Sequence, residues 1–324
     1  MRNKSKFLVV CHDTGGAEII SAFVKLRKKK NDCICFISGP AVKIFRRKKI
    51  KISIIRPVIN IERVLKKYQQ MRLTVLTEVG WSTDLGIKTI LAAKKKSIKT
   101  AAYLDHWVNY KERFGFPRSD WVNNLPDEIW VGDKAAYLLA KRTFPCKVVI
   151  RYIPNQYFRE IEAEYDKSVK IKPALNLLIV SEPLGEAINS YGQKLPILFN
   201  EFKWLEIILS NLARSNFKDK VILRLHPSEA MDKYDSILAK YVDKIRLEKS
   251  RNSSIMKDLI RVDTVIGATS MALVVAAICQ KKVFSLILDK FLLFFVPKHP
   301  HICKLRAERD LLDKLKFVGK HPGA

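Results

Sequence analysis

The chain lacks the marks of several common protein classes. Its six cysteines (Cys11, Cys33, Cys35, Cys146, Cys279 and Cys303) form no paired CxxC knuckles, which argues against a zinc site. Most lie in apolar runs and read as small buried hydrophobes. No apolar run reaches the roughly 20 residues of a membrane-spanning helix. The first apolar stretch, 7–11, is too short for the core of a signal peptide. There is no GxGxxG fingerprint, and no DxD pair stands out to hold a metal. Acidic residues are scarce: 32 Asp and Glu face 60 Lys and Arg, a formal charge of +28. Such an excess suits nucleic acid, an anionic membrane surface or an anionic substrate. It also suits lysines spread over solvated faces and helix ends. No aromatic-interleaved basic repeat and no standard nucleic-acid motif is present, so nucleic acid is not the expected partner.

What is present is alternation. Hydrophobic residues fill 48% of 324 positions, which predicts globular structure with room for two α/β domains. Strand-like runs at 7–11, 33–38, 52–55, 73–76, 100–104, 128–131 and 148–152 alternate with helix-like stretches at 17–26, 41–47, 61–70, 84–95 and 135–142. A charged stretch follows. The pattern then restarts, with strands at 176–180, 221–225, 245–247, 264–266 and 283–288, the last of them. Helices are expected within 195–215 and at 230–241, 254–261, 271–278 and 305–317. Alternation of this kind predicts parallel sheets covered on both faces. Two doubly wound units would leave a cleft between them.

Ligands of open α/β sheets gather at the carboxyl ends of strands. A helix N-terminus there offers free N–H groups and partial positive charge to a phosphate. Two turns of the second half fit. One is His226-Pro227-Ser228-Glu229, after 221–225. Pro227 suits a first helical turn, and His226 at the strand tip can accept a bond or, protonated, donate to a phosphate oxygen. The alternative is a loop cap. Arg224 shares the face of His226 and reads as an anion ligand or an internal ion-pair partner. The other turn is Gly267-Ala268-Thr269-Ser270. Thr269 and Ser270 can bind phosphate through hydroxyl and N–H groups, or simply cap a helix. A third turn, from Ser181 through Glu182 to Glu186, is either a reader of base and ribose, with Glu182 or Glu186 on a ribose hydroxyl, or a plain surface loop.

In the first half, Gly15 and Gly16 allow close approach of backbone to a ligand, or of helix to strand. Asp13 and Asp105, with His106 beside the latter, stand at strand ends where a carboxylate can take a proton from a hydroxyl. An Asx turn or a cap is the competing role of each aspartate. Glu78 is a less favoured base, and Asp133 reads as an N-cap. Trp81, Trp107 and Tyr110 suit sugar stacking or core packing. The run 291–296, flanked by Lys290 and Lys298, suits core or a membrane-touching edge.

His226-Pro227 and Thr269-Ser270, in their strand–turn–helix settings within 175–290, resemble the HP and Ser/Thr-Ser motifs of GT-B glycosyltransferases. The nearest likeness is to enzymes that use CMP-activated acidic sugars, such as sialyltransferases and Kdo transferases, and to the related capsule and teichoic-acid polymerases. The segments HDTGGAEI, LDHWVNYKERF and LPDEIWVGD resemble proteins of bacterial surface-polysaccharide clusters. The resemblance implies two Rossmann-like doubly wound parallel-sheet domains facing a cleft. It implies donor phosphate on His226, Thr269 and Ser270, a first-domain acid as base, and neither metal nor cofactor. The acidic motif followed by glycine that such enzymes often show has only a loose counterpart in Asp13-Thr14-Gly15.

The resulting expectation is a glycosyltransferase. It would move a sugar from a CMP- or UDP-activated donor to a surface-polysaccharide or lipopolysaccharide acceptor, glycan or lipid-linked. Residues 1–160 form the acceptor-side domain, 161–174 a linker, 175–303 the nucleotide-sugar-binding domain, and 304–324 a terminal helix and tail. Asp13, Asp105 and His106 are the catalytic candidates. Gly15, Gly16, Ser181, Glu182, Arg224, His226, Pro227, Ser228, Thr269 and Ser270 are the phosphate- and donor-binding candidates. The expected place is the cytoplasm, with peripheral contact to the anionic inner face of the membrane. A nucleotide-sugar epimerase or hydrolase on the same fold, and a non-catalytic binder of sugar nucleotides or polyanions, are the alternatives. Release of free sugar without an acceptor favours the former, and binding without turnover favours the latter.

Overall fold

The computed structural model describes residues 6–27, 32–55, 61–80, 83–168, 176–187, 193–215, 217–252, 254–295 and 299–318. Trp81, the end of the 291–296 run and Lys298 lie outside them. The chain divides into two compact units, Met1–Glu160 and Ile161–Ala324. Among the described residues no helix is long and apolar enough to cross a membrane.

The first unit holds seven strands: β1 Lys6–Cys11, β2 Cys33–Ile37, β3 Ser53–Ile54, β4 Leu73–Glu78, β5 Lys99–Leu104, β6 Glu128–Val131 and β7 Val149–Tyr152. Their order is β3-β2-β1-β4-β5-β6-β7, and every pair is parallel. The helices are α1 Thr14–Leu26, α2 Ala41–Arg47, α3 Ile61–Tyr68, α4 Leu85–Lys94, α5 Lys134–Thr143 and α6 Gln156–Ser168. Successive residues of a strand face opposite sides, and β1 shows why its sequence is apolar throughout. Phe7, Val9 and Cys11 pack with Ile20 of α1 and Phe45 of α2. Leu8 and Val10 pack with Leu65 of α3 and Ala93 of α4.

The second unit repeats the plan with β8 Leu177–Val180, β9 Val221–Arg224, β10 Leu247–Lys249, β11 Thr264–Gly267, β12 Lys282–Leu286 and β13 Ile302–Leu305. The order is β10-β9-β8-β11-β12-β13, again all parallel. Its helices are α7 Glu201–Arg214, α8 Asp235–Ala239, α9 Ile255–Leu259, α10 Met271–Ile278 and α11 Glu308–Val318. Trp204, Ile208 and Leu212 of α7 bury against Leu177, Val221 and Leu223. The Trp204 indole also donates to the Leu286 carbonyl at 2.9 Å.

Three local expectations change. The strand at 283–288 is not the last: β13 follows it, with two of its four residues exposed, so its apolar signal is thin. Only Asp235–Ala239 of the 230–241 stretch is helical, with turns at 231–234 before it and at 240–241 after it. The charged stretch after residue 160 carries most of α6, and the division between the units falls inside that helix.

In both units strand order reverses between two neighbours, β1 and β4 in the first and β8 and β11 in the second. A crevice at the carboxyl ends opens at such a switch point. In the first unit α4 sits close against it. A Cβ built on Gly86 would lie 2.2 Å from the Glu78 carbonyl oxygen, a backbone atom that cannot swing aside. Gly86→Ala is therefore expected to push α4 off β4 and cost about 1–3 kcal/mol as overpacking, read as a lowered midpoint in a thermal melt.

Candidate functional site

At the switch point of the first unit, β1 runs into His12 and Asp13, α1 begins at Thr14, and β4 ends on Glu78. Glu78 Oε1 accepts the backbone N–H groups of His12 at 3.0 Å and Asp13 at 3.1 Å. The carboxylate thus ties the two strand ends together. Asp13 Oδ1 lies 2.7 Å from His12 Nδ1. Asp105, after β5, pairs with the buried Arg113 at 2.9 Å, and Arg113 also donates to the Val79 carbonyl at 2.8 Å.

Glycines make this crowding feasible. A Cβ on Gly15 would lie 2.1 Å from Asp105 Oδ2, one on Gly16 2.3 Å from Glu78 Cβ, and one on Gly80 1.6 Å from Asp13 Oδ2. Gly15 and Gly16 therefore serve close packing, and the neighbours they admit are carboxyl groups. A phosphate beside them would meet Asp13, Glu78 and Asp105, which repel it. The phosphate role expected of these two glycines is withdrawn on that ground.

Glu78 is 4% exposed. Burial, reinforced by the charges of Asp13 and Asp105, pushes its pKa up to about 7 in spite of the two N–H groups it accepts. A carboxyl group half-protonated near neutrality is matched to proton transfer at physiological pH. It is the acid–base group ranked too low from sequence. Its signal was there: an acid directly ending a fully buried strand.

Burial lowers the His106 pKa to about 4, so the ring is neutral at pH 7. Its Nδ1 is buried without a hydrogen-bond partner. His106 and Asp105 line a small cavity with Trp107, Asp133, Asn155 and Phe158. Asp133 caps α5 through Ala136 N at 2.8 Å and accepts the Trp107 indole N–H at 2.9 Å. Trp107 is 5% and Tyr110 3% exposed, so both are core residues and neither offers a face for sugar stacking.

In the second unit β9, β8 and β11 are neighbours, so their carboxyl-end turns stand side by side. The β9 turn carries His226. Ser228 N donates to His226 Nδ1 at 3.3 Å, and the Ser228 hydroxyl lies 2.7 Å from the same nitrogen. With Nδ1 accepting, the neutral ring carries its proton on Nε2. Burial lowers the His226 pKa, although Glu229 and Glu186 oppose the shift. The ring is thus a neutral donor near pH 7.

The turn is fixed by Glu229. It accepts from His226 N at 3.0 Å, Ser181 Oγ at 2.5 Å, Tyr234 OH at 2.6 Å and Lys233 Nζ at 2.9 Å. Burial works against its charge, but the donors outweigh burial and hold its pKa below the usual range. Sequence reading quoted Glu229 without a role. An acid three residues after the turn's first residue, reaching back to that residue's N–H, is the spacing of a capping box. Arg224 donates to Asp258 Oδ2 at 2.7 Å and to the Asn252 carbonyl at 3.0 Å. Asp258 is fully buried, and this bond gives Arg224 the internal ion-pair role weighed for it from sequence.

The β11 turn leads into α10. Glu182, from the β8 end, accepts from Thr269 N and Ser270 N through Oε1, the second at 3.1 Å, and from Thr269 Oγ1 through Oε2 at 2.7 Å. Ser270 Oγ accepts from Ala272 N at 3.2 Å and so caps α10. His226 N also donates to Ser181 Oγ at 3.3 Å, at the β8 end beside Glu182.

Glu78 ionises near 4.5 in an unfolded chain and near 7 in the folded one. Its contribution to stability is complete below 4.5 and is lost as pH rises through 7. Ionisation above that costs about 3 kcal/mol at about 1.4 kcal/mol per pKa unit. Glu78→Gln keeps an acceptor for both N–H groups and cannot ionise. It is expected to stabilise the chain at pH 8 and to make little difference at pH 4, as read by thermal melts at the two pH values.

No family model matches the sequence, and no curated protein does. Solved structures do match in fold. UDP-GlcNAc 2-epimerase of Neisseria meningitidis, bound to UDP-GlcNAc, aligns at TM-score 0.64 and 11% identity, over 98% of this chain and 92% of its own. MurG of Acinetobacter baumannii aligns at 0.53 and 13%, over 98% and 91%. The wall teichoic acid polymerase TagF aligns at 0.54 and 10%, over 97% and 80%. At such identities the likeness is one of fold: two parallel α/β units of the GT-B type.

Proposed function

We propose that this chain is a nucleotide-sugar enzyme, and that its reaction is transfer of the sugar to a hydroxyl of a surface-polysaccharide or lipopolysaccharide acceptor. The observation that carries the reading is Glu78, a buried carboxyl with a pKa near 7 at the switch point of the first unit. In this reaction Glu78, neighboured by Asp13 and Asp105, takes the proton of the acceptor hydroxyl. The freed oxygen attacks the anomeric carbon, and the bond from that carbon to the phosphate oxygen breaks. The second unit receives the donor. There His226 Nε2–H donates to the departing phosphate, and the Thr269-Ser270 turn supplies N–H groups at the start of α10. Uridine nucleotides lead the candidates, because a fold neighbour is bound to UDP-GlcNAc; the HP and Thr-Ser motifs keep CMP-sugars beside them. The excess of basic residues suits peripheral attachment to an anionic membrane on the cytoplasmic side.

A specific observation favours a second reading, epimerisation of the nucleotide sugar. Proton removal and return at carbon needs an acid and a base, and Asp13, Glu78 and Asp105 provide more than one carboxyl group.

Titration of UDP and of CMP into the full chain tests the shared premise. His226→Ala is expected to weaken the preferred nucleotide about 10- to 100-fold, the worth of one hydrogen bond to a charged group. Absence of binding by either nucleotide sinks both readings. Turnover in deuterium oxide separates them. Transfer leaves every sugar C–H as it was, whereas epimerisation by proton exchange places deuterium on the inverted carbon. Glu78→Gln is expected to lower kcat by roughly 10²–10⁴.

A further inference from the structure

The turn assigned to phosphate already holds an anion, and that anion belongs to the chain. Glu182 takes backbone N–H groups of the turn, Thr269 N and Ser270 N among them, together with the Thr269 hydroxyl. Ser270 Oγ is engaged in capping α10. While Glu182 is in place, the Ser270 hydroxyl proton is the donor this turn keeps for a phosphate, and the Thr269 and Ser270 N–H groups and the Thr269 hydroxyl are taken. The carboxylate is also without a cation: among the described residues no Lys, Arg or His forms an ion pair with it. Its charge is balanced only by the turn and by the positive end of α10. Burial pushes its pKa up in spite of these bonds.

We propose that Glu182 is an exchangeable internal anion, and that donor binding replaces its carboxylate with phosphate at the Thr269-Ser270 turn. The proposal rests on the nucleotide-sugar reading above and adds a regulatory step to the same site. Two features make exchange feasible. A diphosphate carries more charge than a carboxylate and offers more acceptor oxygens to the same donors. His226 stands on the other side of the β8 end with its Nε2 proton directed away from the Ser228 bonds. It can supply a donor that the Glu182 carboxylate does not use. The exchange breaks and makes only hydrogen bonds. Its consequence is that the empty site has a low affinity for stray phosphate, because an incoming anion reaches the Thr269 and Ser270 N–H groups only by expelling the one in residence.

The test is calorimetric titration of inorganic pyrophosphate and of UDP into the full-length chain, as wild type, Glu182→Ala and Glu182→Gln. Glu182→Ala frees these donors and is expected to tighten pyrophosphate at least tenfold. Glu182→Gln keeps the size and removes the charge, and is expected to tighten it by a smaller factor. A thermal melt of each variant checks folding, and Glu182→Gln decides alone if the alanine variant does not fold. Pyrophosphate affinity unchanged or weakened in a folded variant overturns the exchange. If wild type binds UDP with His226-dependent affinity in that case, only the exchange is lost. If UDP fails to bind wild type as well, the nucleotide reading falls with it.

Discussion

Both units are held shut at the same place by the same kind of bond. A parallel sheet that reverses strand order leaves two strand ends diverging, each with backbone N–H groups that no neighbouring strand can satisfy. Left buried and unpaired, such groups cost about as much as a lost hydrogen bond each. In the first unit Glu78 of β4 reaches across to the N–H groups of His12 and Asp13. In the second, Glu182 beyond β8 reaches across to those of Thr269 and Ser270. One carboxylate across each switch point closes the gap that the topology opens. The two differ in what surrounds them. Glu78 is buried with two further carboxyl groups for neighbours, and burial first, then their charges, raises its pKa and suits it to carrying a proton. Glu182 faces a helix start, and its own charge is what that helix end attracts.

Much of this architecture was legible in the sequence, because a strand buried on both faces must be apolar at every position. Residues 7–11, 176–180 and 264–266 announced themselves that way, and the small or polar residues that ended them marked the turns. What stayed hidden was pairing. Arg224 and Asp258 are 34 positions apart, and nothing in their spacing says that β9 brings one over the other. Gly15 and Gly16 read as a place for close backbone approach to a ligand or for packing, and sequence left the choice open because the partners that fill their space, Asp105 and Glu78, come from the ends of strands much later in the chain. Glu229 has its partners Ser181 and Tyr234 on other elements or further along the chain, so its neighbours in sequence do not show its role. β13 escaped because an edge strand with two exposed residues of four carries little periodic signal.

Net charge is a poor guide to a single site. The chain carries 28 more basic than acidic residues, a total that suits anionic ligands and lysines spread over solvated faces alike. The first unit's switch point is the reverse. Asp13, Glu78, Asp105 and Asp133 gather at the ends of neighbouring strands, and the buried Arg113 is tied to one of them. Totals describe solvated faces, where most lysines stand. A site of opposite sign needs only a few groups, provided that they are buried and near one another.

The three glycine–acid contacts carry a lesson for how such a chain can diverge. Gly15 is spoken for by Asp105, Gly16 by Glu78 and Gly80 by Asp13. A lineage that trimmed one of these acids could let a methyl group grow in where its partner was bare. A lineage that kept the acid would have to swing it aside to do so. In a set of descendants, then, these six positions would drift two by two, with each small residue shadowing the fate of its own acid.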